Sequence, residues 1–250
     1  MTRAFRQRLL ARERLHGMLV SVASAELSEV LGGRGFDWLF LDAEHGTFDA
    51  EAIRAHLRAT PHCPTLVRIA ALDRVAMANA LDAGAAGVIV PQIGSAAEAL
   101  LAVQYGRYPP IGARGLGAAR AQGYGLDGGG YLTDANDEIA IVVQAETVGA
   151  LREIEAITRI PGLDGVLIGP YDLSAALGVP GNFTHPDFVA AVTHVAIACT
   201  AASMPLGVFG MQAAALRLYV DIGATLLVAG VDTVLLGNAA EATLAELRAL

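Results

Sequence analysis

The stretch DGVLIGPYDLSAALG, residues 164–178, changes its pattern halfway. Up to Gly169 it is a short apolar run, as expected of a parallel strand buried on both faces. From Pro170 it reads as a helix, with proline at the start, where a missing N–H costs nothing. A buried strand that passes directly into a helix is half of a β-α-β unit. It leaves Asp172 just past the strand's C-terminal end.

The same alternation runs through the chain. Strand candidates are GMLVSV (17–22), DWLFLD (37–42), TLVRI (65–69), GVIVP (87–91), IAIVVQAE (139–146), DGVLIG (164–169), PLGVF (205–209) and TLLVAG (225–230). Between them lie Ala- and Leu-rich helical stretches such as DRVAMANALDAG, which Gly84 stops, and AAEALLAVQYG. Eight strands alternating with helices predict an α/β fold, a (β/α)8 TIM barrel. No composition shift divides residues 1–250, so one barrel domain is expected. Residues 107–130, RYPPIGARGLGAARAQGYGLDGGG, are too long and glycine-rich for an ordinary connection and read as a functional loop or an interface element. The closing AAEATLAELRAL is amphipathic and reads as a helix packed on the barrel.

Composition removes several function classes. The net charge is −8 and the pI about 5.2, which argues against nucleic acid. No apolar run reaches the roughly 18 residues of a membrane span. The basic, amphipathic start MTRAFRQRLLARERLHG leads into no signal-peptide core, so it reads as the leading helix of a cytoplasmic protein. Cys63 and Cys199 form no redox or metal motif and read as small buried hydrophobes. All 17 basic residues are Arg. Without lysine this chain supplies neither a Schiff-base amine nor an anchor for pyridoxal phosphate, and no P-loop.

In a barrel of this type the chemistry sits at the C-terminal ends of the strands. The second strand ends in LDAEHG, with Asp42, Glu44 and His45. Arg68 lies within the third, where a permanent charge must be paired or face a polar cavity. The fifth ends VQAET, with Gln144 and Glu146 on one side of the strand. With Asp172 from the sixth, these converge on one mouth. Glu146 and Asp172 make a simple oxygen-ligand pair for a divalent ion such as Mg²⁺ or Mn²⁺, and read equally as a helix cap and an ion-pair partner. His45 reads either as a general base or as a structural histidine at a strand–loop junction. The remaining histidines, 16, 56, 62, 185 and 194, read as surface or packing residues.

Six of these pieces, FDWLFLDAEHG, LVRIA, LDAGAAGVIVPQI, YPPIGARGLG, VQAET and GVLIGPYDLSAALG, in this order, resemble the metal-dependent (class II) pyruvate aldolases. That family includes the 4-hydroxy-2-oxoheptanedioate and 2-keto-3-deoxy-sugar-acid aldolases and is related to macrophomate synthase and, more distantly, citrate lyase β chains. The resemblance runs from about residue 17 to 238. It implies a homohexamer, a trimer of dimers exchanging a C-terminal helix. It implies a divalent metal (Mg²⁺, Mn²⁺ or Co²⁺) on Glu146 and Asp172, with Gln144 against the bound 2-oxo acid. His45 is the implied base, Asp42 its orienting carboxylate and Arg68 the stabiliser of the enolate. Asp82, in LDAGA, is expected to raise that histidine's basicity from a neighbouring subunit. The implied reaction cleaves a 4-hydroxy-2-oxo acid to pyruvate and an aldehyde, in the catabolism of aromatic compounds or sugar acids.

Two positions depart from the family pattern. Tyr171 stands where these aldolases often carry Ala, which narrows the pocket or adds a hydroxyl to it. The first strand has Met18 and Leu19 where an aromatic is frequent. Both bear on the acceptor aldehyde. Sibling reactions on the same site are oxaloacetate decarboxylation and cleavage of malyl- or citryl-CoA thioesters. A non-catalytic assembly protein would predict loss of His45, Arg68, Glu146 or Asp172, and all four are present.

Overall fold

The computed structural model describes residues 5–126 and 129–250. Eight strands close into a barrel in chain order: β1 Leu15–Val20, β2 Trp38–Asp42, β3 Thr65–Arg68, β4 Gly87–Val90, β5 Ala140–Ala145, β6 Gly165–Ile168, β7 Leu206–Gly210 and β8 Leu226–Val231. Every neighbouring pair is parallel, including β8 with β1. Helices cover the outside, as the apolar runs predict.

The first strand begins two residues earlier than its pattern suggests. The Leu15 amide donates to the Thr225 carbonyl, so closure onto β8 draws the strand back. At its far end the Ser21 and Val22 amides turn away to the carboxylate of Asp232. Ser24, Asp49, Asp73, Ser95 and Thr147 each open a helix by accepting the backbone N–H three residues on.

Alternate strand residues fill the barrel. Leu15, Trp38, Phe40, Leu66, Ile89 and Val142 are among those pointing inward. Gly17 makes room for the indole: a Cβ there would lie 2.5 Å from Trp38 Cε2. Below it Phe5, from the leading helix Phe5–Leu10, sets its ring 5.9 Å from that of Trp38. The same base holds a buried ion pair, Arg107 with Asp164, which also accepts from Arg6 Nε at 2.8 Å. Cys63 and Cys199 are buried thiols pushed up by burial to about 11 and about 12, in keeping with their reading as small hydrophobes.

One segment can now be located, and one expectation needs correction. Segment 107–130, of which residues 127 and 128 lie outside the described residues, follows the helix Ala96–Gly106 that returns from the tip of β4. It therefore lies at the N-terminal end of the barrel, away from the mouth of its own chain. The last helix, Asp232–Arg248, does not pack against the barrel. Only Asp232 is buried, and Leu235, Leu236, Leu244 and Leu247 stand exposed. A groove of about 500 Å³ remains open over the outer side of β1 and β8, lined by His16, Ala213, Leu216, Arg217 and Leu227. That is where an eighth barrel helix would otherwise lie. Among the described residues no helix is long and apolar enough to cross a membrane.

Candidate active site

The C-terminal ends of the strands enclose a cavity of about 410 Å³, lined among others by Asp42, His45, Arg68, Gln144, Tyr171 and Asp172. Asp42 and Arg68 end neighbouring strands and are register partners. Both side chains turn inward and meet as a fork. Arg68 Nε donates to Asp42 Oδ1 at 2.9 Å, and Nη2 to Oδ2 at 2.7 Å. Its third nitrogen, Nη1, lies 3.0 Å from Glu44 Oε2 and donates to Gln144 Oε1 at 3.4 Å. The Phe40 ring lies 5.3 Å from the guanidinium carbon. Burial opposes the arginine charge, but the hydrogen bonds and charge of Asp42, with Glu44 and Glu146, outweigh it and hold the pKa above the ordinary value.

Asp42 serves the loop as well. Its Oδ1 accepts the Glu44 and His45 amides at 3.1 and 3.3 Å, which fixes the turn that carries His45 to the cavity rim. The carboxylate thus reaches His45 through its backbone, while its side-chain partner is Arg68. The imidazole is exposed at the rim. Burial raises the Glu44 carboxyl, against the opposing pull of Arg68 and His45.

Glu146 follows β5 and is 1% exposed. Oε1 accepts the Gln92 amide at 2.7 Å and Oε2 accepts Gln144 Nε2 at 2.5 Å. Gln92 reaches it from a left-handed backbone, φ 55°, a strained conformation for a residue with a Cβ. Gly169 gives the carboxylate its space: a Cβ there would overlap Glu146 Oε2. Burial pushes the Glu146 carboxyl up to about 7; the Gln92 amide offsets part of this, and the nearby Asp172 and Glu44 charges add to it. Asp172 lies in the first turn of the helix Pro170–Ala176, whose N-cap is Gly169, so it is free of the capping role.

A buried carboxylate beside two like charges is stabilised by a cation. Oxygen donors are the hard ligands that Mg²⁺ or Mn²⁺ prefers. Among the described residues no cluster of three or more His, Cys, Asp or Glu forms a closed cage. A cation held by Glu146 and Asp172 would need water or substrate oxygens to complete its shell. The residues fit the group.

The structure brings together Asp42, His45, Arg68, Gln144, Glu146, Tyr171 and Asp172. It does not bring Asp82 to them. Asp82 ends the helix Arg74–Asp82 at the base of the barrel, just before β4. There Oδ1 accepts Arg114 Nη2 at 2.6 Å and Gln122 Nε2 at 3.0 Å. Arg114 is itself buried, with its guanidinium carbon 4.6 Å from the Tyr108 ring centroid. Residues that sequence reasoning passed over include Gln92 and Gly169, both inside quoted motifs, and the apolar lining Phe209, Met211 and Val231; Leu19, singled out as a departure from the family pattern, does line the cavity.

Comparison with known proteins agrees with this architecture. The family model for HpcH/HpaI aldolase/citrate lyase matches residues 15–239. The 4-hydroxy-2-oxo-heptane-1,7-dioate aldolase of Salmonella heidelberg is 37% identical over 245 residues, 97% of this chain and 93% of that protein. A hydroxypyruvate/pyruvate aldolase of Cupriavidus necator is 37% identical over 247 residues, 98% of this chain and 92% of that protein. The crystal structure of an HpcH/HpaI aldolase/citrate lyase family protein from Burkholderia cenocepacia superposes with a TM-score of 0.92 at 35% identity, covering 97% of this chain and 98% of that one. With the strand-end site in place and the match spanning nearly the whole chain, this protein belongs to the HpcH/HpaI aldolase/citrate lyase family.

Proposed function

We propose that the cavity performs the reversible aldol cleavage of a 4-hydroxy-2-oxo acid to pyruvate, or a related 2-oxo acid, and an aldehyde. The family match and the 37% identical aldolases make the chain a carbon–carbon lyase. The observation that carries the site assignment is that Asp172 and Arg68 line one cavity at the strand ends, with buried Glu146 close enough behind Gln144 to feel both charges. A divalent cation on Glu146 and Asp172 supplies, when bound, the Lewis acidity that favours an enolate.

The chain's own groups do the rest. Arg68, its planar guanidinium fixed in orientation by Asp42, presents a positive charge where the substrate oxygen gains negative charge, and being pre-aligned it costs no reorganisation. Gln144 is fixed at both ends of its amide by Arg68 and Glu146, which sets it against the 2-oxo acid. His45 at the rim takes the proton of the aldol hydroxyl in cleavage and returns it in synthesis.

Asp82 acts, in this reading, from a second copy of the chain. One oxygen is tied to Arg114 and Gln122, and the segment wrapping it carries Leu116, 71% exposed. A homohexamer built from dimers that exchange the helix Asp232–Arg248 would bury that helix's leucines in the open groove over β1 and β8 of the partner.

The test needs no aldehyde. In D₂O with pyruvate, the metal-stripped protein given Mg²⁺, Mn²⁺ or Co²⁺ should exchange the methyl protons above the metal-only blank. EDTA and His45→Ala should each abolish the gain. Undiminished exchange in Glu146→Gln would overturn the ligand assignment.

A further inference from the structure

The cavity mouth is divided. Its polar half comes from β2, β3 and β5, with Asp42, Arg68 and Gln144. The other half comes from the ends of β7, β8 and β1 and contributes Leu19, Phe209, Met211 and Val231, with the Tyr171 ring on its rim. The Tyr171 ring stands edge-on to Phe183 at 5.0 Å between centroids, which extends the apolar wall outward.

The charges are equally one-sided. Arg68 is the one permanent cation among the described lining residues; it stands in the polar half with His45, and Asp42 already holds its Nε and Nη2. Behind the apolar half lies an anion. Asp232 is buried and accepts from the Ser21 amide, the Ser21 hydroxyl at 2.6 Å and the Val22 amide. Within the wall Ser21 is the polar residue, and with its hydroxyl hydrogen donated to Asp232 it can only accept; the Tyr171 hydroxyl, at the rim, is the one side-chain donor among the described residues on that side. A carboxylate needs donors. Against the wall inside that rim it would lose its water and gain no partner, which is costly.

We infer that the acceptor half of the site takes an uncharged, apolar aldehyde rather than one whose tail ends in a carboxylate. The inference rests on the aldolase reading and narrows it. In the synthetic direction pyruvate gives a methyl proton to the site's base, and its C3 forms the new bond to the aldehyde carbon. The aldehyde oxygen takes up the proton, and the product is a 4-hydroxy-2-oxo acid with the apolar chain on C4. That chain lies along Leu19, Phe209 and Met211. Each methylene buried there should raise kcat/KM about fourfold.

The experiment is a matched comparison in the condensation direction, with the full-length protein, Mg²⁺ or Mn²⁺, and pyruvate. Succinic semialdehyde and 4-methylpentanal have nearly the same shape, a carboxylate in one replaced by an isopropyl group in the other. The expected result is a kcat/KM at least tenfold higher for 4-methylpentanal, rising about fourfold per methylene from propanal to pentanal. Met211→Arg should shrink the gap by placing a donor in the wall. Equal or better turnover of succinic semialdehyde by the unaltered protein would overturn the inference, showing that Tyr171 or another copy supplies a carboxylate partner. Methyl exchange in pyruvate without condensation onto any aldehyde would overturn it while leaving the enolisation step standing. Loss of both would take down the aldolase reading itself.

Discussion

Arg68 and Asp42 meet as a two-pronged ion pair, Nε to Oδ1 at 2.9 Å and Nη2 to Oδ2 at 2.7 Å, with both side chains almost out of solvent. Removing one partner of a buried pair leaves the other charge without compensation, at a cost of about 3–5 kcal/mol. Glu44 remains near Nη1, which keeps the loss toward the lower end. Asp42→Leu should therefore lower Tm by roughly 6–12 °C and lose activity as well. Arg68→Lys keeps the charge but not the fork, so it should cost roughly a hundredfold in kcat with a smaller change in Tm. Calorimetry beside steady-state kinetics separates them. Wild-type kcat in Arg68→Lys would show that the fork is structural only.

Gly169 decides whether Glu146 can stand where it does. A methyl group at that position would overlap Glu146 Oε2, and Gln144 Nε2 would lie 3.0 Å from it. Gly169→Ala should thus displace the carboxylate without altering any chemical group of the site. Metal-binding proteins gain Tm on adding the ion, because the ion stabilises only the folded state. The unaltered protein should show this rise with Mn²⁺; Gly169→Ala should show much less of it and Glu146→Gln none. A full metal-induced rise in Gly169→Ala would mean that the carboxylate relocates without loss.

The barrel was legible because its strands are buried on both faces and so read as unbroken apolar runs; the polar half of the site was legible because ionisable residues at strand ends break that pattern. The apolar half was not. Phe209 and Val231 at the mouth are indistinguishable in sequence from the same residue types in the core, and Leu19 stood out only against the family pattern. Gln92 offered no warning either, since a left-handed backbone at a residue other than glycine has no reliable residue signature. The exposed last helix was misjudged for a physical reason: an amphipathic pattern says that a face is to be buried, but not in which copy of the chain. Asp82 shows the same limit, because its place at the base of the barrel follows from chain direction and leaves open which site it serves.

His56 gives the fold a pH dependence of its own. It is 1% exposed between two helices, its Nδ1 is 2.6 Å from the Ser28 hydroxyl, and its Nε2 has no hydrogen-bond partner among the described residues. The Phe48 ring stands edge-on beside it. Burial lowers its pKa, against the weaker pull of Asp232 and Glu26. For a base with a depressed folded pKa, the unfolded chain binds the proton first. The stability contribution is therefore complete above the unfolded value and is lost as pH falls through that value toward the folded one. Tm should decline from pH 7.5 to 5.5, and less steeply in His56→Gln, which can still accept from Ser28. Identical slopes would assign the decline to other groups.

Asp82 gives a prediction that a lone barrel cannot meet. Its carboxylate is anchored by Arg114 and Gln122 at the end of the barrel opposite His45 of the same chain. If it serves the site of a second copy, His45→Ala and Asp82→Asn damage different halves of each composite site. Either variant alone should be nearly inactive. Co-produced in equal amounts, they should form mixed oligomers in which about a quarter of the sites join an intact His45 to an intact Asp82. Activity should recover to that extent, with a pH profile like that of the unaltered protein. Arg114→Gln, which releases Asp82 without removing it, should shift the alkaline or acidic limb of that profile rather than only lower its height. No recovery on co-production, with mixed oligomers confirmed by mass, would place Asp82 among the structural residues of the barrel base.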